Sequence, residues 1–396
     1  MTTILTLSKC GMIAAGIWRF PVTTRPSFQI LYALYSICIQ VYLAIFVVSM
    51  VIRFAILSIH ENHPTKESVD LLFTAFAYLI SFLVTQIKAV ICQTKPLRRI
   101  ICYIIEEEEN LSNSGDEEIL AYHRRQIALD KKINWAIFYF TALLGSAAIV
   151  SNAFLRVSIG QLNSASNSTV RRPFVYELYY YKVDTEKRAS ILVILNAFSV
   201  LVAILMGVST QSIFLTCIIF ASSVLKALQV KLKKMSVGDN DMTVTLAGLV
   251  KEHQRVVRFI KQLNEAVKHL MLMDYFLNAM NMALVMLLFL EAETGMQFAS
   301  CVFYSGRMMV IIFALGWTSN EIKVQSQGLA DAIYESGWYE RPLSVRRLLH
   351  MMILRAQRPL ALTIGPFDEM TIQSSLTIMK AAYTYGTVMM QKYQRE

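Results

Sequence analysis

Charge is scarce in this chain. Asp, Glu, Lys and Arg make up 17% of its 396 residues, against roughly 25% in an ordinary soluble domain. Catalytic signatures are absent. No His-Glu-x-x-His, Gly-x-Ser-x-Gly or phosphate-loop pattern occurs, so zinc-protease, serine-hydrolase and nucleotide-cleaving chemistry have no candidate residues. His60-Glu61-Asn62-His63 has the wrong spacing for a metal helix and reads as a solvated loop. The cysteines Cys10, Cys38, Cys92, Cys102, Cys217 and Cys301 form no Cys-x-x-Cys pair, which removes the usual zinc motif. No catalytic residue, metal site or cofactor is expected. The N-terminal region has no apolar core followed by a small-residue cleavage site, so no cleavable signal peptide is expected. No nucleic-acid motif accompanies the net charge of +10.

What is abundant is apolar sequence. Hydrophobic residues are 55% of the chain, gathered in blocks of about 20, the length that crosses a ~30 Å hydrocarbon core. Seven segments are predicted, at 30–57, 68–92, 133–155, 190–223, 273–291, 297–319 and 368–390. The fold class is an all-α membrane protein, with residues 1–396 as one seven-transmembrane domain. The fourth block is longer than a crossing needs, so it tilts or extends past the bilayer. Only Glu291-Ala292-Glu293-Thr294-Gly295-Met296 separates the fifth and sixth segments. Two carboxylates and a glycine there favour a hairpin over one long helix.

The scarce cations are unevenly placed. The N-terminal segment and the second, fourth and sixth loops carry 25 of the 38 Lys and Arg; the alternate side carries 8. That bias puts the N-terminus in the cytoplasm and the C-terminus outside, the reverse of a G-protein-coupled receptor. The basic loops would then face anionic lipid. No cysteine falls in the external loops, so no extracellular disulfide is expected. Two glycosylation tripeptides occur, at Asn110 and Asn167. They lie on opposite sides, and the charge rule selects Asn167.

The fourth loop carries Leu249, Val256, Ile260, Leu263, Val267 and Leu270 at helical spacing, with Lys251, Arg255, Arg258 and Lys261 on the other face. An amphipathic helix running into the fifth segment is predicted. A second, Leu343, Val345, Leu349, Met352 and Ile353 with Arg346, Arg347 and Arg355, stops at Pro359. Two such helices on one side suggest a cytoplasmic helical layer where subunits meet, with lipid lying as the alternative. The run Glu106–Glu109 with Asp116, Glu117 and Glu118 reads as a solvated loop. Arg307 and Lys380 fall mid-segment, where charge is costly. Each needs a watery cavity, a partner or acceptors in the protein interior. No carboxylate lies deep in a segment, which argues against proton- or sodium-coupled transport.

The ordered series Gly337-Trp338-Tyr339-Glu340-Arg341-Pro342, Arg346-Arg347-Leu348-Leu349, Ile353-Leu354-Arg355-Ala356-Gln357-Arg358-Pro359 and Gly365 resembles the signature of insect odorant receptors. Lys380-Ala381-Ala382-Tyr383-Thr384-Tyr385 is similar to that family's last span, and Gly16-Ile17-Trp18-Arg19-Phe20-Pro21 to its opening. The resemblance implies an odorant-gated, non-selective cation channel in which four subunits surround a pore lined by the seventh helices. Its partners would be a small volatile odorant, a shared co-receptor subunit in a heterotetramer, and membrane lipid. It implies a plasma-membrane protein of olfactory neuron dendrites. The fourth loop, 224–272, lacks the co-receptor's insertion, so the chain looks like a tuning subunit.

The resemblance also implies site residues. Thr384, Tyr385, Val388 and Gln391 match the co-receptor's pore end, with Val388 at a hydrophobic constriction. Thr384, Val388 and Gln391 share one helical face, and an apolar ring can block hydrated ions by dewetting. A packed helix face is the competing reading. Lys392 stands where the co-receptor has an apolar residue near the outer mouth. The implied odorant pocket lies among spans two, three, four and six, in the outer half of the membrane. Its candidates are Phe73, Phe76, Tyr78, Gly145, Ile149, Asn152, Met206 and Tyr304. They suggest an apolar, aromatic- and Met-rich cavity held together by dispersion, with ordinary helix packing as the alternative for each. A gustatory-receptor-like channel shares the Thr-Tyr-x5-Gln ending but lacks the Trp338–Pro359 series. A metabotropic seven-helix receptor needs the opposite orientation.

Overall fold

The computed structural model describes residues 3–18, 26–60, 66–166, 189–235, 242–291 and 295–393. Its helices are α1 (Thr6–Ala14), α2 (Pro26–His60), α3 (Lys66–Cys92), α4 (Lys95–Ser112), α5 (Glu117–Ser166), α6 (Ala189–Lys233), α7 (Met242–Glu291), α8 (Gly295–Glu335), α9 (Leu343–Ala356) and α10 (Ile372–Tyr393). A short hairpin, β1 (Thr363–Ile364) against β2 (Asp368–Glu369), precedes α10. Helix is the element that satisfies its own backbone in lipid. Stretches of α2, α5, α6 and α8 are each long and apolar enough to cross a membrane. Helix α2 is apolar inside and out: Leu43 and Phe46 are buried, while Ile30, Leu34 and Ile45 are exposed. That is the pattern of a helix facing protein on one side and lipid on the other.

Helices α5, α6, α7 and α8 have 50, 45, 50 and 41 residues. At ~1.5 Å per residue each is roughly 60–75 Å long, twice the hydrocarbon thickness. The excess forms a helical layer with α4 and α9 at one end of the molecule. Its core joins Leu228 and Leu232 of α6, Leu246 of α7, Leu329 and Ile333 of α8, and Val345, Leu349 and Met352 of α9. The basic amphipathic stretch around Val256 is one continuous helix with the fifth segment. It buries Val256, Ile260, Leu263 and Val267 and leaves Lys251 and Lys261 in solvent.

The Trp338 signature closes this layer. Gly337 takes φ 66°, a left-handed turn open to glycine, and Trp338–Glu340 make one 3-10 turn. Arg341 is buried, and its Nη2 donates to the Met235 carbonyl at 2.8 Å and the Ser336 carbonyl at 3.1 Å. Trp338 stacks on His350, with ring centroids 6.4 Å apart.

Two expectations are corrected. The acidic run is no solvated loop. It lies on α4, where Glu107 and Glu108 are buried. Glu108 accepts from the Ile4 amide at 2.6 Å, and His123 Nε2 lies 3.3 Å away. The Glu108 carboxylate is met by the N-terminal stretch just before α1, which sequence spacing does not reveal. That helix is stitched to α6 through Ser8, whose Oγ lies 2.9 Å from Ser212 Oγ and 2.6 Å from Thr216 Oγ1. The seventh segment starts at Ile372, not 368, because Asp368 and Glu369 belong to β2. The hairpin turns at Gly365, with φ 59°. The Gly365 N–H donates to the Lys268 carbonyl at 2.9 Å.

His253 of α7 is buried in the layer near Arg355. Burial first, and the guanidinium second, push its imidazole pKa down to about 4. An unfolded chain binds that proton near pH 6.5, so stability falls as pH drops from about 6.5 to about 4. His253→Leu is expected to flatten the decline of the thermal midpoint over that window. A pH profile identical to wild type contradicts this.

Candidate functional site

A cavity of about 300 Å³ opens among α3, α5, α6, α7 and α8. The five helices contribute at regular spacing. Ser81, Thr85 and Lys88 come from α3; Thr141, Gly145 and Ala148 from α5; Gly207 and Gln211 from α6; Asp274, Asn278 and Asn281 from α7; Ser300, Tyr304 and Arg307 from α8. Four of these sets run i, i+4, i+7, one helical face each. Apolar walls come from Phe82, Leu144, Ile204, Leu277 and Met308.

One end of the cavity is ionic. Lys88 Nζ lies 2.5 Å from Asp274 Oδ1 and donates to Oδ2 at 2.6 Å and to Gln211 Oε1 at 2.9 Å. Both charged side chains are more than nine-tenths buried. Taking them out of water costs several kcal/mol per ion, so the pair is tolerable only with such close geometry. Arg307 lines the same cavity, its Cζ 5.4 Å from the Tyr304 ring centroid, a cation–π distance.

Of the residues expected to bind ligand, Gly145 and Tyr304 line this cavity. A Cβ at Gly145 would strike Ile204 Cδ1, so glycine lets α5 and α6 approach. Ile149 does not line it. Met206 is fully buried in the core. Phe76 is 37% exposed and packs on Phe54, with centroids 5.7 Å apart. The side chains of Phe73, Tyr78 and Asn152 lie outside the described residues, as do Asn167 and the side chain of Lys392. This cavity differs from the expected pocket in two respects, within a lining that is still largely apolar. Span five contributes Asp274 to Val285, and the lining is studded with amides, hydroxyls and charges. On α3 the lining residues Ser81 to Lys88 lie further along the helix towards Cys92 than Phe76 does.

Helix α10 packs on α7 and α8. Tyr275 OH lies 2.9 Å from Ser375 Oγ, which donates to the Ile312 carbonyl at 3.2 Å. Its other face is bare. Lys380, Thr384, Val388 and Gln391 are exposed, Val388 by 58%. Arg307 and Lys380 thus part company: the first lines the cavity, the second lies on the exposed face of α10.

The 7tm Odorant receptor family profile matches residues 68–383. This chain belongs to that family. Odorant receptor Or2 of Anopheles gambiae is 28% identical, over 50% of this chain and 56% of its own length. Odorant receptor 10 of Aedes albopictus is 25% identical, over 48% and 52%. The chain thus spans about half the length of the curated relatives it matches. The insect olfactory receptor OR5 from Machilis hrabei shares its fold, with a TM-score of 0.75 at 18% identity over 98% of this chain and 97% of that one. The same receptor in complex with eugenol gives a TM-score of 0.73 at 16% identity. The fold is therefore all-α with seven transmembrane helices, and the family is one of receptors, not of enzymes.

Proposed function

We propose that this odorant receptor is the tuning subunit of an odorant-gated cation channel. It binds small volatile molecules in the cavity among α3, α5, α6, α7 and α8, and opens a pore built with a shared co-receptor subunit. The observation that carries the reading is that cavity, inside a family whose solved relative is described in complex with the small aromatic eugenol. The α10 face of Thr384, Val388 and Gln391 supplies this subunit's part of the pore wall, with Lys392 near the mouth. Its exposure in the single chain suits a helix whose neighbours are other subunits. Leu343, Met351 and Leu354 of α9, also exposed, suit contact between subunits in the helical layer. In this reading the layer lies in the cytoplasm and Asn167 outside, which the charge bias supports, and the chain sits in the plasma membrane of olfactory neuron dendrites, as the family suggests.

The test is co-expression with an insect odorant-receptor co-receptor and current recording during a volatile panel. Fast inward current that requires both subunits and survives G-protein blockade is expected. Responses abolished by that blockade, with no intrinsic conductance, would favour a metabotropic receptor. Val388→Ala is expected to raise leak current by widening the apolar constriction. Leak and permeation unchanged from wild type would remove Val388 from the pore.

A further inference from the structure

Arg307 leaves a charge unanswered. A guanidinium cannot shed its proton in a protein, so burial does not neutralise it. Its Nε is buried without a hydrogen-bond partner, and the groups the guanidinium does meet, the Met308 sulfur at 3.6 Å from Nη2 and the side chain of Tyr304, are neutral. Among the described residues no carboxylate pairs with it. Among the described residues, Asp274 is the carboxylate that lines the cavity, and it is already taken by Lys88, so the described lining carries two cations and one anion.

A second group points the same way. Gln211 is 4% exposed and lines the cavity. Its Oε1 faces Lys88 Nζ, which can only donate. That contact fixes which end of the amide is which. The opposite end, Nε2, is a donor buried without a partner. One unpaired cation and one unpaired amide donor therefore line a single cavity, beside apolar walls. Both want an oxygen that accepts.

We propose, resting on the receptor reading above, that the cavity takes a small organic acid. Its carboxylate pairs with Arg307, with the Gln211 amide as a second donor, and its hydrocarbon part lies on Phe82, Leu144, Ile204 and Met308. The ion supplies a counter-charge, and a hydrogen bond between two charged groups is the strong kind. A neutral ester of the same length fills the same volume and leaves the guanidinium uncompensated.

The test measures affinity on the purified full chain by ligand-induced thermal stabilisation. Sodium hexanoate, methyl hexanoate and sodium chloride are compared at pH 7.5, where the acid is ionised. Hexanoate is expected to bind most tightly. Arg307→Gln is expected to weaken it roughly ten- to a hundredfold and to leave methyl hexanoate nearly unchanged. Arg307→Lys, which keeps the charge but loses the planar fork, should fall between. If neither variant accumulates, the wild-type preference decides. Methyl hexanoate or chloride stabilising as well as hexanoate overturns the acid assignment, as does hexanoate binding unmoved by Arg307→Gln. Either result leaves the receptor reading standing. Hexanoate binding without any current from the co-expressed channel supports the acid site and counts against the channel instead.

Discussion

Asp274→Leu or Lys88→Met alone is expected to destabilise the receptor by about 3–5 kcal/mol. The two groups meet at 2.5 Å with side chains nearly closed to solvent. Removing one leaves the other as an uncompensated charge in a site that water barely reaches. Gln211 would hold part of the loss by its contact to Lys88, but an amide carbonyl carries no full charge. Replacing both, Lys88→Met with Asp274→Leu, is expected to recover most of the deficit, because a buried ion pair and an apolar pair of similar volume are often near parity. Thermal midpoints and surface delivery of the two single variants and the double form the cycle. Additive losses, with no recovery in the double variant, would contradict the pairing.

Gly316→Ala is expected to cost about 1–3 kcal/mol and to shift α10 against α8. A Cβ there would strike Ser375 Oγ and come within 2.8 Å of the Thr371 carbonyl oxygen. Neither neighbour is free to yield. The Ser375 hydroxyl is engaged by Tyr275 and the Ile312 carbonyl, and Thr371 offers backbone. Gly386 is the control. The nearest atoms a Cβ there would meet belong to the side chain of Met286, which is flexible, so Gly386→Ala should be mild. The readouts are thermal stability and the leak of the co-expressed channel. Since α10 supplies the proposed pore face, its displacement at Gly316 should alter leak as well as lower the midpoint. Equal, small effects at both glycines would show that α10 is not seated as described.

Much of the architecture is legible in the sequence because lipid imposes simple rules. Each of the seven expected segments overlaps a helix, since apolar blocks of crossing length have few alternatives. The amphipathic stretch Val256–Leu270 is readable because one face must be buried and 3.6-residue spacing marks it. Other features depend on contacts between residues far apart in sequence. Glu108 looks like solvated charge until Ile4 and His123 arrive from elsewhere. Asp368 and Glu369 look like the start of a span until Gly365 turns the chain onto Lys268.

This cavity is marked in the sequence by a pattern other than large apolar residues. Phe76 and Met206 attract attention as large apolar groups, yet one packs on α2 and the other in the core. The marks that matter are small or polar residues at i, i+4, i+7 on apolar helices: Ser81, Thr85 and Lys88, then Asp274, Asn278 and Asn281, then Ser300, Tyr304 and Arg307. In a membrane helix a polar stripe has to face protein or water. Which stripes converge is a matter of tertiary packing, and no single helix carries that information.

The most direct measurement is the current evoked by volatiles when the cavity is filled from its wall. Ala148→Phe puts an aromatic ring into the space lined by α5. It is best recorded in a Val388→Ala background, where persistent leak reports an intact pore. With surface delivery and leak maintained, volatile sensitivity is expected to fall at least roughly tenfold, the equivalent of about 1.4 kcal/mol of lost binding. Full sensitivity in a receptor whose cavity is filled would place the odorant elsewhere and contradict the account.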